Sequence, residues 1–183
     1  MTTDLKGKHI LRTDTLTDQE LDLILTTAAR LEQEQEGGRR LENMAGQVMA
    51  AMFFEPSTRT RLSFEAAMHR LGGDVITIAD PKTSSAAKGE TLADAVKVVE
   101  GYADVIVMRH PRKGSAAEAA EAAAVPVING GDGAGQHPTQ ALLDTYTIQK
   151  EKGTLDGLTV ALAGDLKNGR TVHSLAHALT NFD

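Results

Sequence analysis

The fold is decided by residues 47–61, which read QVMAAMFFEPSTRTR. The first half of this stretch, 47–54, is apolar without alternation, as in a strand that is buried on both faces of a parallel sheet. Apolar side chains then recur at helical spacing through 60–71, and the pair Gly72-Gly73 ends the pattern. A buried strand followed by a short polar turn and a helix is the building unit of α/β proteins.

The same alternation continues after this unit. Each further strand is short and apolar, and each helix between them carries one apolar stripe. The predicted strands are 75–79, 105–108 and 125–128, and the predicted helices are 91–102 and 115–124. The sequence therefore predicts an α/β fold with a parallel sheet flanked by helices. A capping box at Thr17 predicts one more helix before the first strand, running to about residue 30.

The last third of the sequence predicts the end of the first domain and the start of a second. A glycine-rich flexible loop is expected at 130–135, followed by a helix that opens on Pro138. A buried strand and a final helix are then expected at 158–163 and 171–179. We expect three parts, the last being the incomplete start of a second α/β domain in a truncated chain: 1–137, a connecting helix at 138–153, and 154–183.

Composition narrows the class of protein. The chain has 183 residues, 41% of them hydrophobic and 24% charged, which is typical of a folded globular protein. Its net charge is −6 and it has four Phe, two Tyr and no Trp, so we expect no nucleic-acid partner. No apolar run approaches the length needed to cross a bilayer, and we expect a cytoplasmic protein. The absence of cysteine excludes disulfides and thiolate chemistry.

The segment Ser57-Thr58-Arg59-Thr60-Arg61 follows the first strand where a helix begins. Helix N-termini attract anions through free N–H groups and the helix dipole, and hydroxyl and guanidinium groups add strong donors for phosphate oxygens. We therefore expect a small phosphate-bearing metabolite to bind there. The segment is also compatible with an ordinary capping residue and two solvated arginines.

Two further polar groups follow other predicted strands. Arg109 lies at the end of 105–108, and His137 opens the helix after the glycine-rich loop. Since the carboxyl ends of parallel strands form the ligand crevice of such sheets, we expect both side chains near Ser57–Arg61. Taken singly, Arg109 is compatible with a surface ion pair and His137 with a structural histidine.

Four motifs together resemble a known family. Residues 53–61, 108–111, 137–144 and 164–175 are similar, in order, to the catalytic chains of aspartate carbamoyltransferases. The resemblance extends through nearly the whole chain. Ornithine carbamoyltransferases share the Ser-Thr-Arg-Thr-Arg segment but carry cysteines in two other motifs, and this chain has none. The resemblance therefore favours aspartate as the second substrate over ornithine or another amine.

The resemblance implies transfer of a carbamoyl group from carbamoyl phosphate to the amine of L-aspartate in pyrimidine biosynthesis, with no metal or organic cofactor. It implies that Ser57, Thr58, Arg59 and Thr60 bind the phosphate and that Gln140 contacts the carbamoyl amide. Thr60, Arg109 and His137 are expected at the carbonyl oxygen. In this scheme the catalytic residues are Arg59, Thr60, Arg109 and His137.

The resemblance also implies that sites are shared between subunits of a homotrimer. Ser84 and Lys88 match residues that reach into a neighbouring subunit's site, with Lys88 contacting both substrates. Arg170 matches a residue that binds a carboxylate of aspartate, and Glu55 matches one that organises the site through ion pairs. Taken singly, Lys88 and Arg170 are compatible with solvated surface cations.

Two questions remain open from the sequence. The chain can be a catalytic component, or a noncatalytic binding or assembly module that keeps the phosphate site and donates Ser84 and Lys88 to a partner. Regulatory chains or other enzymes of the pathway are possible further partners.

Overall fold

The computed structural model describes residues 4–38, 40–78 and 89–182. Strands and helices alternate through most of this chain, as the sequence predicts. The elements are α1 (Asp18–Glu36), β1 (Val48–Phe53), α2 (Thr58–Arg70), β2 (Asp74–Ile78), α3 (Leu92–Val99), β3 (Val105–His110), α4 (Ser115–Ala122), β4 (Val127–Asp132), α5 (Pro138–Lys152) and α6 (Arg170–Leu179).

The four strands form one parallel sheet in the order β2-β1-β3-β4. The predicted α/β fold is confirmed. Strand β1 is the first in sequence but lies inside the sheet, between β2 and β3. All but its first residue are buried, and Phe53 lies opposite Arg109 of β3. Outside the named strands, Ile10 pairs in parallel with Ile128, so the N-terminal segment borders β4.

Helices cover both faces of the sheet. On one face α3 and α4 pack through Val96, Val99 and Ala119 against Ile106 and neighbouring strand residues. On the other face α2 packs through Met68 against Met49, Ala51, Phe53 and Val107. The apolar runs of β1 and β3 are explained by this two-sided burial, since successive side chains of a strand point to opposite faces.

A third apolar cluster joins α1 to α5. Leu21 and Leu25 of α1 pack with Leu142 and Tyr146 of α5 and with Leu155 beyond it. Helix α1 begins with the predicted capping box, since Thr17 accepts from the Glu20 N–H while the Glu20 carboxylate accepts from the Thr17 N–H. It continues past the predicted end, to Glu36. Contact with α5 extends into the added part, where the Glu32 carboxylate accepts hydrogen bonds from Tyr146 Oη and Lys150 Nζ, both at 2.9 Å. Such tertiary contacts stabilise a helix beyond its local signals.

Two sequence predictions are wrong. Residues 158–163 form no strand, and most of their side chains are exposed. A parallel strand exists only when it is hydrogen-bonded to a neighbour, and no described residue pairs with this segment. The predicted loop at 130–135 is wrong in its first part, since Gly130, Gly131 and Asp132 belong to β4.

Candidate functional site

The order of the strands creates a crevice above β1 and β3. The chain leaves β1 towards β2 on one side and returns to β3 on the other, so helices α2 and α3 lie on opposite faces of the sheet. The carboxyl ends of β1 and β3 therefore lie open between them, which is where α/β sheets bind ligands. Glu55 follows β1, and Arg109 lies near the end of β3.

The N-terminus of α2 opens into this crevice. Ser57 is the residue that caps the helix, but its hydroxyl makes no capping hydrogen bond, and no acidic residue lies in the first turn. The first N–H groups and the Ser57 hydroxyl thus remain available to a ligand. A plain capping role for Ser57 would require the bond that is missing here. The geometry favours the anion-binding interpretation.

The two arginines of this segment have different surroundings. Arg59 is exposed, lines the crevice and makes no ion pair with any of the residues described in 4–38, 40–78 and 89–182. Arg61 points along the helix, with its Nε 3.7 Å from a carboxylate oxygen of Glu65. Arg59 is therefore the guanidinium of this pair that is free to bind an anion.

One cavity of about 1060 Å³ contains the predicted site. Its walls come from α1, α2, α5 and the start of α6, together with the end of β3. The predicted site residues that line it are Ser57, Thr58, Arg59, Thr60, Arg109, His137, Gln140 and Arg170. Ser84 and Lys88 lie outside the described residues.

Glu55 connects two guanidinium groups at the floor of the crevice. Its Oε1 accepts from Nη2 of Arg109 at 3.0 Å, and its Oε2 accepts from Nη1 of Arg170 at 3.4 Å. Burial opposes ionisation of Glu55, but the hydrogen bonds from Arg109 and Arg170 outweigh it and hold the pKa of Glu55 below its ordinary value. One carboxylate against two guanidiniums leaves a net positive charge.

Arg109 and Arg170 are each fixed by a backbone carbonyl as well. Nη1 of Arg109 donates to the Gly130 oxygen at 3.3 Å, and Nη1 of Arg170 donates to the Gly133 oxygen at 2.7 Å. Arg109 is only 8% exposed, which rules out the surface ion pair that its sequence position alone would allow. Its buried Nε has no hydrogen-bond partner among the described residues.

An irregularity in β4 makes room for these two arginines. The pairing between β3 and β4 shifts between Met108 and His110, so that Gly130 and Gly131 together lie opposite Arg109. Gly131 has φ +118°, and a Cβ there would lie 3.3 Å from both Nη1 of Arg109 and Cζ of Arg170. Any larger residue would meet strained backbone and both guanidiniums.

His137 is buried at the N-terminus of α5, with 6% of its surface exposed. Its backbone N–H donates to the Ser174 hydroxyl at 3.0 Å, and its Nδ1 lies 3.4 Å from the Thr139 hydroxyl. Burial lowers the pKa of His137 to about 4, with help from the charges of Arg109 and Arg170. The imidazole is therefore neutral at pH 7 and can donate one hydrogen bond from one ring nitrogen.

Gln140 lies one turn further along α5. Its Nε2 donates to a carboxylate oxygen of Asp144 at 2.9 Å, which fixes the orientation of the amide. Gln140 is one of the residues that line the cavity. The side chain can therefore serve as a hydrogen-bond partner for an amide group of a ligand.

Sequence reasoning missed Ser174, which ties α6 to this site. Its hydroxyl accepts from His137 N–H and donates to the Gln136 amide oxygen at 2.6 Å, while its carbonyl accepts from the buried Thr13 hydroxyl at 2.7 Å. Ser174 and Ala178 are the buried residues of α6. A serine on the apolar face of an amphipathic helix was the available signal, since such a hydroxyl needs a partner.

Within the described ranges, no group of three or more His, Cys, Asp or Glu side chains is placed to hold a metal ion. None of the helices in the described part of the chain has the length and apolar character that a membrane crossing requires.

Comparison with known proteins places the chain in a family of carbamoyl-transferring enzymes. The model of the aspartate/ornithine carbamoyltransferase carbamoyl-phosphate-binding domain matches residues 8–150. The chain belongs to this family, as its motifs predicted.

Individual relatives agree with this placement. The chain is 54% identical over 180 residues to the aspartate carbamoyltransferase catalytic subunit of Thermococcus kodakarensis, covering 98% of this chain and 58% of that subunit. It is 57% identical over 175 residues to the corresponding subunit of Chromobacterium violaceum, covering 96% and 57%. The chain thus spans somewhat more than half the length of the curated relatives it matches.

A solved structure shows the same fold. The aspartate transcarbamoylase of Trypanosoma cruzi in complex with carbamoyl phosphate and aspartate superposes with a TM-score of 0.93 at 47% identity, covering 97% of this chain and 56% of that one. The resemblance predicted from the four motifs is confirmed.

The depressed pKa of His137 predicts how stability depends on pH. Between its ordinary pKa of 6.5 and the folded value of about 4, the unfolded chain binds a proton at His137 that the folded protein does not. The free energy of unfolding should therefore fall as pH is lowered through this window. From pH 7 to pH 5 the loss from this group is about 2 kcal/mol.

Urea unfolding of the wild type and of His137→Gln at the two pH values measures this contribution. Glutamine stays neutral throughout, so His137→Gln should lose less stability on acidification than the wild type does. An equal loss in both proteins would contradict a neutral, buried His137.

Proposed function

We propose that this chain is the carbamoyl-phosphate-binding part of an aspartate carbamoyltransferase. The reaction transfers the carbamoyl group of carbamoyl phosphate to the amine of L-aspartate and gives N-carbamoyl-L-aspartate and phosphate, a step of pyrimidine biosynthesis. One observation carries the proposal: the predicted substrate residues of the described chain line a single cavity at the switch point of the sheet. Family membership and the names of the relatives support the identity of the substrates.

The phosphate occupies the N-terminus of α2. Ser57, Thr58 and Thr60 offer hydroxyl groups there, and the uncapped first turn offers N–H groups. Arg59 adds the charge, since it is exposed to the cavity and has no carboxylate partner within the described ranges. A doubly charged phosphate is stabilised by this combination of helix dipole, hydroxyl groups and guanidinium.

The carbamoyl group lies between the phosphate and the floor of the crevice. Thr60, Arg109 and His137 surround its carbonyl oxygen, and Gln140 contacts its amide. The amine of aspartate attacks the carbonyl carbon, and the carbonyl oxygen takes up negative charge in the tetrahedral intermediate. As that charge collapses, the bond from carbon to the phosphate oxygen breaks, and the leaving phosphate takes the proton that the amine gives up. Groups already fixed in place stabilise such charge best, and Arg109 and His137 are both buried and held.

The protonation state of His137 matters for this role. A neutral imidazole can still donate a hydrogen bond to the carbonyl oxygen, and that bond becomes stronger as the oxygen becomes an anion. The positive charge next to this oxygen then comes from Arg109 and not from His137. A protonated His137 would be repelled by the positive charges of Arg109 and Arg170. The arrangement uses one charged and one neutral donor at the same oxygen.

Aspartate is placed by Arg170 at the start of α6, with Lys88 as a second contact. The guanidinium of Arg170 is fixed by Glu55 and by the Gly133 carbonyl, so it is positioned without a ligand. The proposed division is a carbamoyl-phosphate domain at 1–137, a connecting helix at 138–153 and a start of the aspartate domain at 154–183. Longer relatives carry the remaining part of the aspartate site in this scheme.

The same membership supports a cytoplasmic homotrimer in which Ser84 and Lys88 complete the site of a neighbouring subunit. Regulatory chains or other enzymes of the pathway are further candidate partners. The reaction in this proposal requires no metal or organic cofactor.

Calorimetry with carbamoyl phosphate tests the phosphate site. Arg59→Ala should weaken binding about tenfold to a hundredfold, because a charge-assisted hydrogen bond to the phosphate is lost. Arg70→Ala is the matched control, since Arg70 is an exposed arginine at the other end of the same helix. Equal affinity of Arg59→Ala and Arg70→Ala for carbamoyl phosphate would contradict a phosphate site at the N-terminus of α2.

A product assay tests the choice of amine. Carbamoyl phosphate is supplied with L-aspartate or with L-ornithine, and the carbamoylated amino acid is quantified. We expect N-carbamoyl-L-aspartate and no citrulline. Citrulline would make ornithine the substrate, and carbamoyl phosphate binding without any product would make the chain a noncatalytic binding module.

Mixing two inactive variants tests the sharing of sites. His137→Ala chains retain Lys88, and Lys88→Ala chains retain His137. In a mixed trimer a site that combines residues of two chains is intact, so carbamoyl phosphate binding should return on mixing. No recovery, with trimers shown by sedimentation, would place Lys88 in the site of its own subunit.

A further inference from the structure

Asp132 is a buried carboxylate at the end of β4 that has no role in the reaction described above. It is 6% exposed, and no Lys or Arg of the described ranges forms an ion pair with it. Three N–H donors hold it instead. Oδ1 accepts from the Gln136 backbone at 2.7 Å and the Asn129 amide at 3.2 Å, and Oδ2 accepts from the Gly114 backbone at 2.8 Å.

The three donors belong to three different parts of the site's support. Gly114 caps the N-terminus of α4 and follows the loop that leaves β3 after Arg109. Asn129 lies in β4 itself, before the two glycines that pass the arginines. Gln136 is the residue immediately before His137. One carboxylate therefore connects the end of β3, the end of β4 and the entry to α5.

The backbone around Asp132 closes a tight turn. Its N–H donates to the Gln136 carbonyl at 3.2 Å, and its carbonyl accepts from Gly135 N–H at 2.8 Å. Gly133 N–H donates to the His110 carbonyl at 2.8 Å. There is no room to spare inside the turn, because a Cβ on Gly135 would lie 2.6 Å from Oδ1 of Asp132.

The positions of two groups of the candidate site, the guanidinium of Arg170 and the ring of His137, depend on this turn. The Gly133 carbonyl, inside it, accepts the hydrogen bond that fixes Arg170. His137 follows it directly, with its N–H on Ser174 and its ring in the cavity. A shift of the turn would therefore move His137, the proposed donor to the substrate carbonyl oxygen, together with the guanidinium of Arg170.

We propose that Asp132 is a positioning residue for the substrate site, which acts by holding the turn 132–136 so that His137 and Arg170 are both set for the ligand. The inference rests on the proposed function, since it assigns Asp132 to the same site. A carboxylate suits this position because it only accepts hydrogen bonds, and its three hydrogen-bond partners are all donors. An amide of the same shape would turn an NH₂ group towards one of these donors and leave it unpaired.

Asp132→Asn is the direct test, and Asp104→Asn, at an exposed aspartate, is the control for the loss of a carboxylate. Asp104 also accepts a backbone N–H, that of Val48 at 2.8 Å, but it does so at the opposite end of the sheet. Both variants lose one carboxylate and weaken a side-chain bond to the backbone. Only Asp132→Asn should weaken carbamoyl phosphate binding, by about tenfold, in samples that urea unfolding shows to be fully folded.

A second variant covers the case in which Asp132→Asn does not fold. Gly135→Ala keeps the carboxylate but displaces it together with the backbone of the turn, because the new Cβ would lie 2.6 Å from Oδ1 and 2.8 Å from the carbonyl oxygen of Asp132. Its control is Gly37→Ala, where the nearest atom to the added methyl is 3.4 Å away at the end of α1. Gly135→Ala should lose affinity in the same way, and Gly37→Ala should not.

A ligand-free measurement separates this inference from the proposed function. The imidazole resonances of His137, assigned by their absence in His137→Gln, should shift in Asp132→Asn and Gly135→Ala and stay in place in both controls. Unshifted resonances in the folded variants would overturn the positioning role, as would unchanged carbamoyl phosphate affinity. If the wild type itself binds no carbamoyl phosphate, the proposed function fails while the shift of the His137 signals still reports on Asp132.

Discussion

The site depends on the carboxylate of Glu55, which is shared between Arg109 and Arg170. The three residues come from the turn after β1, from β3 and from the start of α6. Without Glu55 two guanidinium groups would face each other in a partly buried crevice, at a high electrostatic cost. With Glu55 the charges are held in place and a single excess positive charge remains. The floor of the cavity is thus built to receive an anion before any ligand arrives.

The excess charge is kept small by the neutral state of His137. A buried imidazolium beside Arg109 and Arg170 would pay both for desolvation and for repulsion, and the low pKa of His137 reflects these two effects in that order. Gly130 in β4 and Gly133 in the turn after it contribute differently, since their backbone carbonyls supply acceptors for the guanidiniums. Carbonyl oxygens of Gly130 and Gly133 complete the coordination of both arginines at close range.

The sequence predicted most of the sheet because burial on both faces leaves continuous apolar runs in β1 and β3. It predicted that Ser57, Arg109 and His137 lie close together, because each follows a predicted strand and parallel strands end at one edge; all three line the cavity. It could not predict that Gly130 and Gly131 belong to β4, since a bulge depends on the pairing of two distant strands. It also missed Ser174 and Asp132. A serine on the apolar face of α6 was a signal for the first, but both residues accept from backbone N–H groups, of His137 and of Gln136, whose positions depend on the fold. The strand prediction for 158–163 was wrong for a related reason, because an apolar segment forms a strand only if another strand lies beside it.

That segment, Leu-Thr-Val-Ala-Leu-Ala, has a consequence for the behaviour of the chain in solution. It contains no charge and no proline, its backbone groups are not paired with other described residues, and Val160 is 40% exposed. Short uncharged segments of this kind pair readily with a copy of themselves from another molecule. An exposed segment without pairing partners among the described residues therefore favours association between copies of the chain as concentration rises.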